Sequence, residues 1–248
     1  MTNQGVGEAT GEDQNAAIWK SEAIVGEWRT GAEERERRRA TGLRLLAELL
    51  PFGDDEPFTF ADLGAGAGAA ACAVLSRFPR STGVLADFSP QMMGEGVEQL
   101  RPFEGRYRYV ELDLATGAWP EAIPTSLDAV ITAFFVHHLP DPRKAELFGE
   151  IWDRLRPGGW FVNLDPVKAP DEVVEATWER INDRLDPEAA EHRAHRTPAQ
   201  QARWENHVRY MAPIEPQLGL LRAAGFEAVD IHWKHLENVL YGGRRPAS

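Results

Sequence analysis

The sequence is poor in the residues that build disulfide frameworks, membrane spans and nucleic-acid clamps. One cysteine, Cys72, occurs in 248 residues. No internal disulfide can form, which fits a reducing compartment. Cys72 follows a glycine loop in an Ala-rich segment and reads as a small buried packing residue. No apolar stretch approaches the roughly 20 residues that a membrane helix needs. The amino terminus lacks a basic region followed by an apolar core, so no signal peptide is expected, and the expected location is cytoplasmic. Positive charge is scarce, with 27 Lys and Arg against 39 Asp and Glu and a formal net charge of −12. Such a surface repels phosphate backbones and disfavours nucleic acid as a partner unless a local basic face exists. The one basic run, Arg35-Glu36-Arg37-Arg38-Arg39, follows Glu33-Glu34 and reads as a solvated helix face.

What is present is an alternation. Residues 1–15 are polar, Gly-rich and acidic, and are expected to be a disordered tail. Residues 16–248 are expected to form one domain, within the size that a single α/β domain can reach. It opens with helical segments over Ala17–Trp28 and Ala32–Leu50. In the second, Leu43, Leu46 and Leu50 form one stripe, widened by Leu45 and Leu49. Short apolar runs then alternate with amphipathic stretches, as in βαβ units on a parallel sheet. Strands are expected at Phe58–Asp62, Ser81–Asp87, Tyr107–Leu112, Leu127–Ala133, Trp160–Leu164 and Ala228–Leu236, with a seventh, Asn238–Gly242, reversing as a hairpin. Helices are expected at Ala69–Arg77, Pro90–Leu100, Arg143–Leu155 and Pro216–Ala224, the last closed by Gly225. Residues 166–216 interrupt the alternation with a charged, His- and Trp-containing helical insertion. It falls after the fifth strand, on the side where open α/β sheets bind ligands.

The chemistry concentrates at the carboxyl ends of the strands. In Asp62-Leu63-Gly64-Ala65-Gly66-Ala67-Gly68, a strand ends in an acid and three glycines alternate into a helix. Glycines allow a tight turn and let a ligand lie on bare backbone. The spacing is Gly-x-Gly-x-Gly, not the Gly-x-Gly-x-x-Gly of a pyrophosphate site. Asp62 would repel a pyrophosphate but suits a cationic sulfonium or ammonium. Asp87 ends the second strand, where a carboxylate can accept from both ribose hydroxyls. Asp113 ends the third and can receive an adenine amino group, with Leu114 packing on the ring.

Together these residues resemble the class I S-adenosylmethionine-dependent methyltransferases of the small-molecule type. Asp62 to Gly68 match the family's glycine motif, Asp87 its ribose acid and Asp113-Leu114 its adenine pair. The segment Asp128 to Asp141 matches the fourth-strand motif, and Leu155 to Val162 the turn into the fifth strand. The likeness covers Phe58–Leu164 and Pro216–Arg244. It implies a Rossmann-like, doubly wound, mostly parallel seven-stranded sheet. It also implies S-adenosylmethionine as cofactor, held by Asp62, Leu63, Gly64, Ala65, Gly66, Gly68, Asp87, Phe88, Met92, Asp113, Leu114, Ala133 and Phe134.

The implied reaction is methyl transfer to an O, N or C atom of a small-molecule acceptor. A tRNA or protein acceptor, or a non-catalytic cofactor-binding domain, are the alternatives. His137 and His138 follow the fourth strand and Asp165 ends the fifth, so an imidazole oriented by a carboxylate is a candidate general base. His138, one residue nearer the Leu139-Pro140 turn, is the favoured histidine. No metal is expected: Asn163 and Asp165 share a strand face, but two such ligands do not make a site. The insertion is expected to cover the acceptor pocket. The acceptor and the oligomeric state are not encoded in any motif.

Overall fold

The computed structural model describes residues 17–22, 25–26, 32–116 and 119–247. The expected disordered tail, residues 1–15, lies outside them. Seven strands form one sheet: β1 (Thr59–Leu63), β2 (Thr82–Asp87), β3 (Tyr107–Glu111), β4 (Leu127–Ala133), β5 (Leu155–Pro166), β6 (Glu227–His235) and β7 (Asn238–Arg244). Their spatial order is β3-β2-β1-β4-β5-β7-β6. The first five are mutually parallel, and β7 runs antiparallel between β5 and β6. This is the doubly wound architecture expected from the alternation, and its strand order reverses between β1 and β4. The crevice outside the carboxyl ends at such a reversal is where open α/β sheets take ligands.

Eight helices are described from Ala32 onward: α1 (Ala32–Glu48), α2 (Ala69–Arg77), α3 (Pro90–Gln99), α4 (Asp141–Arg154), α5 (Glu172–Leu185), α6 (Pro187–Ala194), α7 (Pro198–Val208) and α8 (Ile214–Ala223). Their starts carry sequence signals. The Ser89 hydroxyl accepts from the Met92 N–H at 3.2 Å ahead of Pro90, and Thr197 and Gln200 form a reciprocal capping box on α7. Upstream of α1, residues 17–19 and 25–26 are also helical.

Strand alternation distributes the apolar side chains to two faces. Phe60, Leu85, Ile131, Val162 and Leu164 pack with α1 and α2, including the expected stripe Leu43, Leu46 and Leu50. Ala61, Leu63, Val84, Val130 and Phe161 pack on the other face with Leu147, Phe148 and Ile151 of α4 and Leu218 and Leu221 of α8. Cys72 is only partly buried, contrary to expectation, and lines an open groove between α1 and α2. The expected solvated run also divides: Arg38 pairs with Asp186 at 3.0 Å, whereas the Arg39 guanidinium lies 3.7 Å from the Phe134 ring centre.

β5 begins five residues earlier than its apolar run. Its pairing with β4 jumps from Leu127 opposite Leu155 to Ala129 opposite Trp160. The Pro157-Gly158-Gly159 turn is thereby absorbed into the strand as a bulge, with Gly158 at φ 78°. No described helix is long and apolar enough to cross a membrane.

A buried polar chain ties β5, β7 and α8 together. Asn163 Nδ2 donates to the Tyr241 hydroxyl at 2.7 Å, which donates to Gln217 Oε1 at 2.7 Å. All three residues are buried. Tyr241→Phe leaves a donor and an acceptor unsatisfied in a dry layer, so it should cost about 1–3 kcal/mol. Urea unfolding midpoints of the two proteins check this.

Candidate active site

The glycine loop joins β1 to α2 at the strand-order reversal. Gly64, Gly66 and Gly68 have φ of 64°, 52° and 81°, left-handed conformations that glycine adopts without a Cβ clash. At Gly64 a Cβ would also stand 2.3 Å from Cγ of Phe135. The loop is held from two sides. Asp87 accepts the Gly66 N–H at 2.7 Å and the Ser89 N–H at 2.9 Å, and the Tyr109 hydroxyl donates to the Gly66 carbonyl at 3.0 Å. Tyr109, inside β3, is a loop-holding residue that no motif flagged. Asp87 is buried, and burial raises its carboxyl above the ordinary value against the lowering effect of those N–H groups.

Asp62 behaves differently from its simplest sequence reading. Its side chain turns beneath the loop, where Oδ2 accepts the Ala71 N–H of α2 at 3.0 Å, while Oδ1 is buried and unpartnered. Burial pushes its carboxyl up to about 8. A folded-state value above the unfolded one means stability that is present at low pH and lost as pH rises through about 8. An orphaned carboxylate oxygen is what the ammonium of a bound amino-acid moiety would satisfy, so the residues fit the implied cofactor. Asp62→Asn should therefore flatten the pH dependence of stability and weaken binding of S-adenosylhomocysteine. Unfolding curves across pH 5–9 and calorimetry test both; unchanged affinity would reduce Asp62 to a helix cap.

A narrow cleft of about 20 Å³ opens beside the loop, lined by Gly64, Asp87, Phe88, Leu112, Asp113, Leu114, Ala115, Phe135 and Leu139. Five expected cofactor residues meet there: Gly64, Asp87, Phe88, Asp113 and Leu114. Asp113 is exposed at the rim, its Oδ1 accepting the Ala115 N–H at 3.0 Å. Met92 is buried, with its methyl 3.3 Å from where a Gly66 Cβ would stand. Ala65 is partly buried in the loop, whose N–H donates to the Ala86 carbonyl. Leu63 belongs to the core, and Gly68 lies under Leu100 and Tyr109. Ala133 and Phe134 pack with the α1–α2 layer, outside the cleft lining. Phe134 has φ 57°, a left-handed bend that aims its ring at Arg39 and leaves Phe135 on Gly64.

The candidate base lies in a short 3-10 turn, Val136–His138, directly after β4. Asp165 of β5 accepts the His137 backbone N–H at 2.7 Å and meets His137 Nδ1 at 2.8 Å. The carboxylate partner thus belongs to His137, not to the favoured His138. His137 and Asp165 are buried. Burial, the largest cause, lowers His137 to about 3 and pushes Asp165 up to about 8. His137 Nε2 has no partner. His138 lies 3.4 Å, Nδ1 to Nδ2, from Asn206 of α7, and His207 of α7 packs edge-on to His137 with ring centres 4.4 Å apart. Residues before α1 reach the same place: the Ser89 hydroxyl donates to the Trp19 carbonyl, and the Trp19 ring lies edge-on to His138. Neither contact carries a sequence signal, because both join segments far apart in the chain.

A family model described as a methyltransferase domain matches residues 61–161, the stretch from β1 to β5. The trans-aconitate 2-methyltransferase of Azoarcus sp. (strain BH72) is 28% identical over 213 residues, covering 85% of this chain and 76% of the relative. Among solved structures, an O-methyltransferase family protein from Burkholderia thailandensis superposes with a TM-score of 0.70 at 20% identity over 95% of this chain and 64% of that one. Human N-acetylserotonin methyltransferase in complex with S-adenosylmethionine superposes with a TM-score of 0.65 at 19% identity over 96% and 60%. The chain therefore spans less than two thirds of the length of these two structures, and the likeness to them is one of fold. With the glycine loop, the strand-end acids and the strand order, these matches show a methyltransferase domain over residues 61–161, on a fold shared with S-adenosylmethionine-dependent methyltransferases.

Proposed function

We propose that this protein methylates a hydroxyl oxygen of a small-molecule acceptor. The observation that carries the reading is the buried His137–Asp165 pair at 2.8 Å, at the carboxyl edge beside the glycine loop. Bound S-adenosylmethionine supplies an electrophilic methyl carbon on its sulfonium. Asp87, Asp113 and Leu114 would hold the adenosine end, and the loop from Gly64 to Gly68 would take the amino-acid end. His137 takes the hydroxyl proton at Nε2, while Asp165 keeps Nδ1–H pointed at its carboxylate and steadies the ring. The expulsion of water falls to α7 and to residues 17–22, both of which touch the histidine turn; the insertion 166–216 acts here as a lid. Alignment supplies much of the acceleration in such a displacement.

A second reading, transfer to a carboxylate oxygen, draws on two observations. The 28% identical relative is named a trans-aconitate methyltransferase, and the Arg39 charge is felt at His137. A carboxylate at neutral pH needs no base. Incubation with labelled S-adenosylmethionine and parallel panels of hydroxyl and carboxylate acceptors tests the proposal. Label entering only carboxylates would overturn the hydroxyl reading, and label entering neither panel would overturn both.

A further inference from the structure

The acid–base reading uses one imidazole, yet the fold gathers three. One nitrogen from each of His137, His138 and His207 lies within 4.8 Å of the others. Two come from the turn after β4 and the third from α7, so the cluster is assembled by tertiary packing. His137 Nε2 is buried without a hydrogen-bond partner, while its Nδ1 is tied to the Asp165 carboxylate. A carboxylate on the far nitrogen is how metal-bound histidines are fixed in tautomer and orientation.

From this geometry we propose that His137, His138 and His207 bind a divalent transition cation of the zinc class, leaving a fourth position open to water. An all-imidazole set suits zinc, cobalt, nickel or copper; magnesium and calcium take oxygen ligands. With bonds of about 2.0–2.1 Å, tetrahedral ligand nitrogens stand about 3.4 Å apart. The rings must therefore draw in by roughly an ångström from their present spacing. The Asp165 carboxylate behind His137 offsets the opposing charge of Arg39. A cation held this way occupies Nε2 of His137, so it should block proton removal from a hydroxyl acceptor reversibly. The blocking effect rests on His137 being the base; the binding does not.

The test is titration of the chelator-stripped full chain with cobalt(II) chloride, read by visible absorption, and with zinc chloride, read by calorimetry. Expected are one site per chain and the strong absorption of four-coordinate cobalt. His207→Ala should weaken binding at least about tenfold, as loss of metal-site residues does. His207→Gln serves as a second variant, and S-adenosylhomocysteine binding reports that each variant is folded. No saturable binding, or equal affinity in folded variants and parent, would overturn the site. Zinc that binds without slowing methylation of a hydroxyl acceptor would overturn the blocking effect, and with it the reading of His137 as base. No zinc binding together with an inactive His137→Ala would remove the site and leave that reading standing.

Discussion

Replacing His137 by alanine should lower turnover on a hydroxyl acceptor about 10²–10⁴-fold, the usual contribution of a positioned base. Affinity for S-adenosylhomocysteine should not change, because His137 is not among the residues lining the cleft beside the glycine loop. His138→Ala should have a smaller effect, since the carboxylate partner belongs to its neighbour. The pH dependence has a definite sign. Burial opposes net charge on the pair, so Asp165 is raised to about 8 and His137 lowered to about 3. The pair titrates as a unit: between these values it holds two protons, one of them at Nε2. Deprotonation toward pH 8 frees Nε2 as an acceptor. Turnover should rise with pH through about 8 and level off above it, rather than rise near the ordinary imidazole value. Asp165→Asn should remove that limb. Initial rates between pH 5 and 9.5 for the parent and the three variants decide the matter. A flat profile with near-normal His137→Ala turnover would mean that alignment alone drives transfer, as it can for a carboxylate acceptor.

The second large effect is expected at Asp87. Its carboxylate accepts two backbone N–H groups, from Gly66 in the loop and Ser89 at the start of α3. It also borders the cleft beside the glycine loop. Asp87→Ala should weaken S-adenosylhomocysteine by about 1.5–3 kcal/mol, the usual worth of hydrogen bonds to a charged group, or roughly 10- to 150-fold. Orphaning the Gly66 N–H also loosens the loop, so its amide should exchange faster in the free protein. Calorimetry gives the first quantity and hydrogen exchange the second. Unchanged affinity would mean that the ribose is held elsewhere. NAD should not bind in either protein, and tight NAD binding would contradict the whole assignment of the loop.

The sheet was legible because parallel strands buried on both faces read as short apolar runs, and because helices betray themselves at their ends. Ser89-Pro90 and Gly225 are local signals whose physical cause lies within a few residues. The glycine loop and the acids Asp87 and Asp113 were legible for the same reason: each sits at a strand end, and strand ends follow from the runs. The limits show at β5, where the segment from Leu155 reads as a turn into a strand starting at Trp160 but is carried within the strand as a bulge once β4 offers partners on both sides of it.

The amino-acid sequence by itself determined the fold class, the place of the glycine loop and, to within one residue, the carboxyl ends of the first four strands, since these depend on periodicity and on neighbours in the chain. It did not determine where side chains point once the chain leaves a regular strand. Phe134 at φ 57° breaks the alternation, so Phe135 rather than Phe134 rests on Gly64. The 3-10 turn that follows sets the consecutive rings of His137 and His138 side by side, 4.0 Å between centres, where strand alternation would have sent them to opposite faces. Only β5, paired beside β4, decides that Asp165 meets the first of them. His207 on α7 and Trp19 before α1 reach the site through packing alone. Contacts between such distant segments depend on how the helices seat against the sheet edge, and no local pattern records that seating.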